Sequence, residues 1–222
     1  MGTDRVSALL AEAPGLGRAC DLDAPRLAVL EAFEQLLPDG GLRPGTSTQV
    51  CGVGATTLAL SLVARASQGS WVAVVGMPSV GLRATAELGV DLDHLVVIGD
   101  PGKRWTDVVA AVVDAFDVVL ARPQLPGREA RKLAGRIRER DAVFITVGAW
   151  PDSDVRIDGS AARWDGIERG HGHLAARRLD VAVGGRRSAA RVQRATLWLP
   201  DADGEVRLAE PDNVPDNVIA LR

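Results

Sequence analysis

Apolar and polar residues follow two different rhythms along this chain, and the change falls near residue 150. Between residues 45 and 150, short continuous apolar runs are separated by amphipathic stretches. "WVAVVG" (Trp71–Gly76), "HLVVIG" (His94–Gly99), "FDVVLARP" and "AVFITVGAW" have the continuous apolar character of strands buried on both faces of a parallel sheet. "ATTLALSLVARASQ", "GLRATAELGV", "WTDVVAAVVDAF" and "GREARKLAGRIRERD" carry apolar side chains every three or four positions, which predicts helices. In the last, Leu133 and Ile137 mark the sheet-facing side of a basic surface helix. Such alternation with short links predicts an α/β domain, a mostly parallel sheet covered by helices.

The flanks differ. "APRLAVLEAFEQLLP" (Ala24–Pro38) places Leu27, Leu30, Phe33, Leu36 and Leu37 at helical spacing, and Pro38 followed by "DGG" ends the predicted helix. Beyond Pro151, "RRLDVAVGGRRSAARVQRATLWLP" shows two alternating runs around a Gly/Arg-rich turn, the pattern of an antiparallel hairpin. "WDGIERGHGHLAARR" before it reads as a polar connector or a contact loop. The expected organisation is an N-terminal arm over residues 1–24, one domain over 25–208, and a tail over 209–222. That tail repeats "PDNV" and ends in an apolar "VIAL", suited either to docking on a partner or to fraying.

Composition narrows the function classes. With 46% hydrophobic and 25% charged residues, the 222-residue chain reads as a soluble globular protein. The net charge of −3 means that any contact with nucleic acid needs a local basic patch. No apolar run approaches the length of a membrane span, and the N-terminus lacks the pattern of a secretory signal, so a cytoplasmic protein without membrane contact is expected. Cys20 and Cys51 stand far apart in no metal-ligand spacing, and His171 with His173 make an incomplete metal site. No metal and no cofactor are expected.

One stretch points to chemistry. In "TQVCGVGATTLAL" an apolar strand runs through Gly52 and Gly54 into a helix opening Ala55, Thr56, Thr57. That is the layout of a phosphate-binding loop, in which backbone N–H groups wrap the phosphates and a lysine neutralises them. The loop here is short and lacks the lysine. It reads as a tight strand-to-helix turn, or as a weak anion site at a helix N-terminus.

In order, "GGLRPGTSTQVCG", "TTLAL", "ELGVDLDHLVVI", "FDVVLARP" and "AVFITV" resemble successive segments of the RecA recombinase core, with "LGVDLDHL" the closest match. The resemblance spans roughly residues 30–200 and implies a three-layer α/β/α domain with a C-terminal antiparallel hairpin. It also implies where chemistry should sit, and this sequence departs at each place. Ala55 stands where the loop lysine belongs, Met77 where the water-activating glutamate belongs, Arg122 where the Mg²⁺-organising aspartate belongs, and Val147 where a nucleotide-sensing glutamine belongs. A pseudo-ATPase is therefore expected rather than an enzyme.

A RecA-like chain of this length with a shortened, lysine-free loop is similar to the ImuA family, including its actinobacterial ImuA-prime type. That resemblance implies a damage-inducible (SOS) accessory role in mutagenic translesion synthesis. The implied partner is an ImuB-type inactive relative of Y-family polymerases, with an error-prone replicative-type polymerase engaged indirectly and RecA and DNA as further candidates. Two alternatives remain open at this point: a SulA-type division inhibitor, and a divergent ATP-binding recombination mediator using Lys103 or an arginine in trans. Candidate contact residues for DNA or a partner are Arg163, Trp164, Arg177, Arg178, Arg186, Arg187, Arg191 and Arg194, because clustered arginines suit phosphates or acidic surfaces.

Overall fold

The most apolar runs lie deepest. Val72–Val75 and Val118–Ala121 are buried at every position, and Val143–Val147 likewise, because helices cover both faces of these strands. The computed structural model describes residues 26–124, 127–151, 153–168, 171–186 and 191–210. The side chains of residues 39, 127–128, 167–168 and 171–173 are not among those described.

Among the described residues, nine strands form one sheet: β1 (Ser47–Gly52), β2 (Val72–Val75), β3 (Leu95–Ile98), β4 (Val118–Ala121), β5 (Val143–Val147), β6 (Val155–Glu168), β7 (His171–Gly185), β8 (Gln193–Trp198) and β9 (Arg207–Leu208), ordered β3-β2-β4-β5-β1-β6-β7-β8-β9. Pairing is parallel from β3 to β6, and antiparallel from β6 to β9. The α-helices among the described residues are α1 (Glu31–Glu34), α2 (Ala55–Ala64), α3 (Leu82–Glu87), α4 (Trp105–Ala115) and α5 (Gly127–Glu139).

Two apolar layers hold the sheet. On one face, Leu58, Leu62 and Val63 of α2 join Val74, Leu120 and Ile145 of the parallel strands and Leu179 and Leu197 of the antiparallel ones. On the other, Val109 and Val112 of α4 and Leu133 and Ile137 of α5 pack with Val75, Phe144, Trp105 and Trp150. Each such side chain contributes about 1.5–3 kcal/mol by leaving water. Arg136 and Arg140 of α5 converge on Asp114 of α4 and tie the outer helices together. The Arg136 hydrogen bond holds the Asp114 carboxyl below its usual range.

Three expectations are corrected. The helix expected over Ala24–Pro38 shrinks to α1. Leu27 and Leu42 exchange backbone hydrogen bonds of 2.9 and 3.0 Å, which keeps residues 26–30 out of a helix. Its apolar positions still serve the core, since Phe33, Leu36 and Leu37 are buried. "HLVVIG" is not a doubly buried strand: β3 forms the sheet edge, and Val97 is 39% exposed. The polar connector is instead the arms of the long β6–β7 hairpin, whose pairing carries irregularities at Gly159/Ala162 and Asp165/Ile167. The hairpin predicted from the alternating runs is β7–β8, as expected. The arm over residues 1–24 and residues 211–222 of the tail lie outside the described residues.

Candidate functional site

The glycine loop sits at the C-terminal end of β1, beside β5. The chain leaves β1 toward β2 on one side and leaves β5 toward β6 on the other, so the crevice between them is the topological switch point where α/β sheets bind ligands. A cavity of about 390 Å³ opens there, lined by Gly52, Gly54, Ala55, Thr56, Thr57, Arg122 and Val147 among others. The expected loop residues are therefore brought together at one place.

Their local geometry follows from two close approaches. Gly52 pairs with Gly159 of β6, and a Cβ on Gly52 would lie 2.0 Å from the Gly159 carbonyl oxygen. A Cβ on Gly159 would lie 2.1 Å from the Val53 carbonyl oxygen. Only glycine fits at either position. The Val53 N–H donates to the Gly159 carbonyl at 2.8 Å, so the loop is stitched to β6 rather than opened around a ligand. Gly54, with φ of 70°, then turns the chain into α2. At that helix start the N–H groups of Ala55, Thr56 and Thr57 have no partner within the helix.

The loop's own sequence holds no cation, but the fold brings two arginines to it. Arg122, at the end of β4, reaches Thr56 with Nη2 at 3.4 Å from Oγ1. Arg177, on β7, brings Nη2 to 3.4 Å from where a Gly54 Cβ would be. Its Nε donates to the Leu199 carbonyl at 2.8 Å, and its guanidinium lies over Trp164 at 5.3 Å from the ring centroid. Burial lowers the Arg177 pKa from its ordinary value. The one sequence signal was an arginine at the aspartate position, which reads as a loss until the fold shows where it points. Among the described residues the cavity lining contains no carboxylate. Met77 is buried in the core, and Val147 is a buried cavity wall. No group of three potential metal-ligating side chains occurs among the described residues.

The arginines expected to cluster on the C-terminal hairpin are divided between the two faces of the sheet. Trp164 and Arg177 are cross-strand partners on the loop-facing side. Arg163 and Arg178 are partners on the opposite side, where Arg178 stacks over Trp198 at 4.7 Å. Arg194 aligns with Ala182 and Asp158 on that same opposite face. Arg186 follows β7 and Arg191 precedes β8, and both are exposed, while Arg187 lies outside the described residues. Arg177 is thus half-buried and braced by the Leu199 carbonyl and Trp164.

The fold and the switch-point loop define a RecA-like α/β domain. The solved structure of the RadB recombinase matches it with a TM-score of 0.58 at 15% identity, over 81% of this chain and 97% of that one. The profile of the MT3502 N-terminal domain family matches residues 35–152, and the chain belongs to that family. The protein named "Uncharacterized protein Rv3395c" of Mycobacterium tuberculosis (strain ATCC 25618 / H37Rv) is 36% identical over 140 residues, 60% of this chain and 66% of the relative's length. The chain thus spans just under two thirds of that relative. Among the described residues no helix is long and apolar enough to cross a membrane.

Proposed function

We propose that this protein is a non-catalytic RecA-fold accessory factor that works by binding, within a damage-inducible complex for mutagenic translesion synthesis. Its direct partner is an ImuB-type relative of Y-family polymerases, with the error-prone polymerase reached through it. The observation that carries the reading is the state of the switch-point crevice. Among the described residues its lining offers no carboxylate to hold Mg²⁺ or activate water, and the Val53 amide is bonded to Gly159. Phosphoryl transfer depends on positioned metal ions and a water-orienting group, so such a crevice supports a binding role. The SOS setting rests on the sequence resemblance to the ImuA family.

The test is a purified pull-down against the ImuB-type protein of the same genome, with equilibrium Mg²⁺–ATP binding measured in parallel. Retention of the partner and no saturable nucleotide binding are expected. Loss of the partner with folded protein refutes the reading.

One observation favours a second reading, an ATP-binding mediator. Arg122 occupies the crevice in cis, where the sequence suggested a cation only from Lys103 or from another chain. Micromolar Mg²⁺–ATP binding that disappears in Arg122→Ala would establish it in place of the first.

A further inference from the structure

We propose that the open face of β6–β7–β8 is a docking trough for an extended acidic segment of a partner protein. The inference is independent of which partner the preceding section names.

Charge is segregated along this chain. Between Val155 and Trp198 there are nine arginines and four acidic residues, whereas the rest of the chain carries seventeen basic and twenty-five acidic residues. Of these, Arg156, Arg163, Arg178 and Arg194 share one face of β6–β7–β8 with Asp158, Asp165 and Asp180, and the exposed Arg186 stands at its edge, so positive charge is in excess on that face and selects an anionic partner there.

The face bearing Arg163 and Arg178 continues the layer covered by α4 and α5 over the parallel strands, but Arg156, Arg163 and Arg194 on it are exposed. Its floor is β7, where Ala182 and Gly184 present almost no side chain. One bank is β6, with Arg156 and Arg163; the other is β8, with Arg194. At one end the trough deepens into a cavity of about 480 Å³ between Arg156, Arg186 and the exposed Val192, with Trp150 in its wall. At the other end lies Trp198, under Arg178. From β6 to β8 the trough is about 10 Å wide, and from Arg178 to Gly184 it is about 20 Å long. Those dimensions suit one extended chain.

The acids on the same face decide which polyanion fits. Asp158 is gripped by Arg156 through contacts of 2.5 and 2.8 Å, Asp165 lies 3.5 Å from Arg178, and Asp180 accepts from Thr196 at 2.7 Å. A nucleic-acid strand carries a phosphate at every nucleotide and would meet these carboxylates repeatedly. A peptide places its acids opposite the arginines only, and its apolar side chains can meet Val192 and Trp198. The mixed pattern therefore favours protein over nucleic acid.

The test is fluorescence anisotropy at low salt with the full chain, titrating a labelled short peptide of alternating glutamate and valine, and separately labelled oligothymidylate. Saturable peptide binding is expected, weakened at least about tenfold in Arg156→Glu/Arg194→Glu. Arg65→Glu/Arg83→Glu, which changes net charge equally on exposed positions elsewhere, should leave it unchanged. Three results overturn the proposal: no saturable peptide binding, equal loss in both double variants, or oligothymidylate binding tighter than the peptide. The last would assign the trough to single-stranded nucleic acid. Circular dichroism of each variant checks that the fold is retained.

Discussion

Gly159→Ala isolates the contact that closes the degenerate loop. The substitution adds one methyl group, and Gly159 has no positive φ to complicate the result. That methyl would lie 2.1 Å from the Val53 carbonyl oxygen and 3.4 Å from Leu58 Cδ1. The oxygen belongs to backbone that is fixed by the Val53–Gly159 hydrogen bond and by the Cys51–Asp158 and Gly52–Gly159 register, so it cannot rotate away as a side chain would. Opening the gap costs about 1–3 kcal/mol as overpacking. Losing the hydrogen bond adds about 1 kcal/mol. A loss of about 2–4 kcal/mol corresponds to a Tm lowered by roughly 4–16 °C in a chain of this size. Thermal unfolding followed by circular dichroism measures it, with amide exchange at Val53 as the local readout. Gly135→Ala is the control of opposite sign. It lies within α5 with nothing within 4 Å of the added Cβ, and should stabilise by about 0.5–1 kcal/mol. If Gly159→Ala unfolds within about 1 °C of the parent and Val53 exchange is unchanged, the loop is not pinned to β6 as described.

Arg177→Met should destabilise by about 1–2 kcal/mol, through the lost Leu199 hydrogen bond and the lost stacking on Trp164. It should also make Trp164 fluorescence more accessible to acrylamide, and unchanged quenching would contradict the bracing role. Asp201 is buried, and burial pushes its carboxyl up. The Glu205 amide, Arg207 and the Asp203 amide outweigh this and hold its pKa below the usual value. Its stabilising contribution is therefore present at neutral pH and is lost as pH falls below the usual carboxylate range, through the lowered folded-state pKa. Asp201→Asn should cost about 1–3 kcal/mol in urea unfolding at pH 7, with the gap to the parent narrowing as the pH is taken below 4. Asp114→Ala should loosen α4 from α5 and cost about 1 kcal/mol, a loss that Arg140→Ala alone should not reproduce because the Arg136 pair remains.

The sequence by itself determined the alternation of strands and helices over residues 45–150. Continuous Val and Ile runs favour a place between two apolar layers, and Val72–Val75, Val118–Ala121 and Val143–Val147 are found there, whereas Leu95–Ile98 falls at the sheet edge because the strand order, which the run does not record, leaves it with one neighbour. It also determined the loop, because Gly52 and Gly54 announce a backbone that side chains cannot follow. Other features depended on neighbours far away in the chain. Leu27 to Leu30 have helical spacing yet stay extended, since Leu42 supplies hydrogen bonds that a local pattern does not record. β6 lacks clean alternation because the irregularity between Gly159 and Ala162 shifts its face midway, which hid the longest hairpin. The arginines looked like one cluster in sequence. The two-residue period of paired strands sends Arg177 inward against the loop, and Arg163, Arg178 and Arg194 to the opposite face. Arg122 shows the same division: its identity was legible as a missing aspartate, while its place beside Thr56 was decided by β4 ending one strand from β1 across β5.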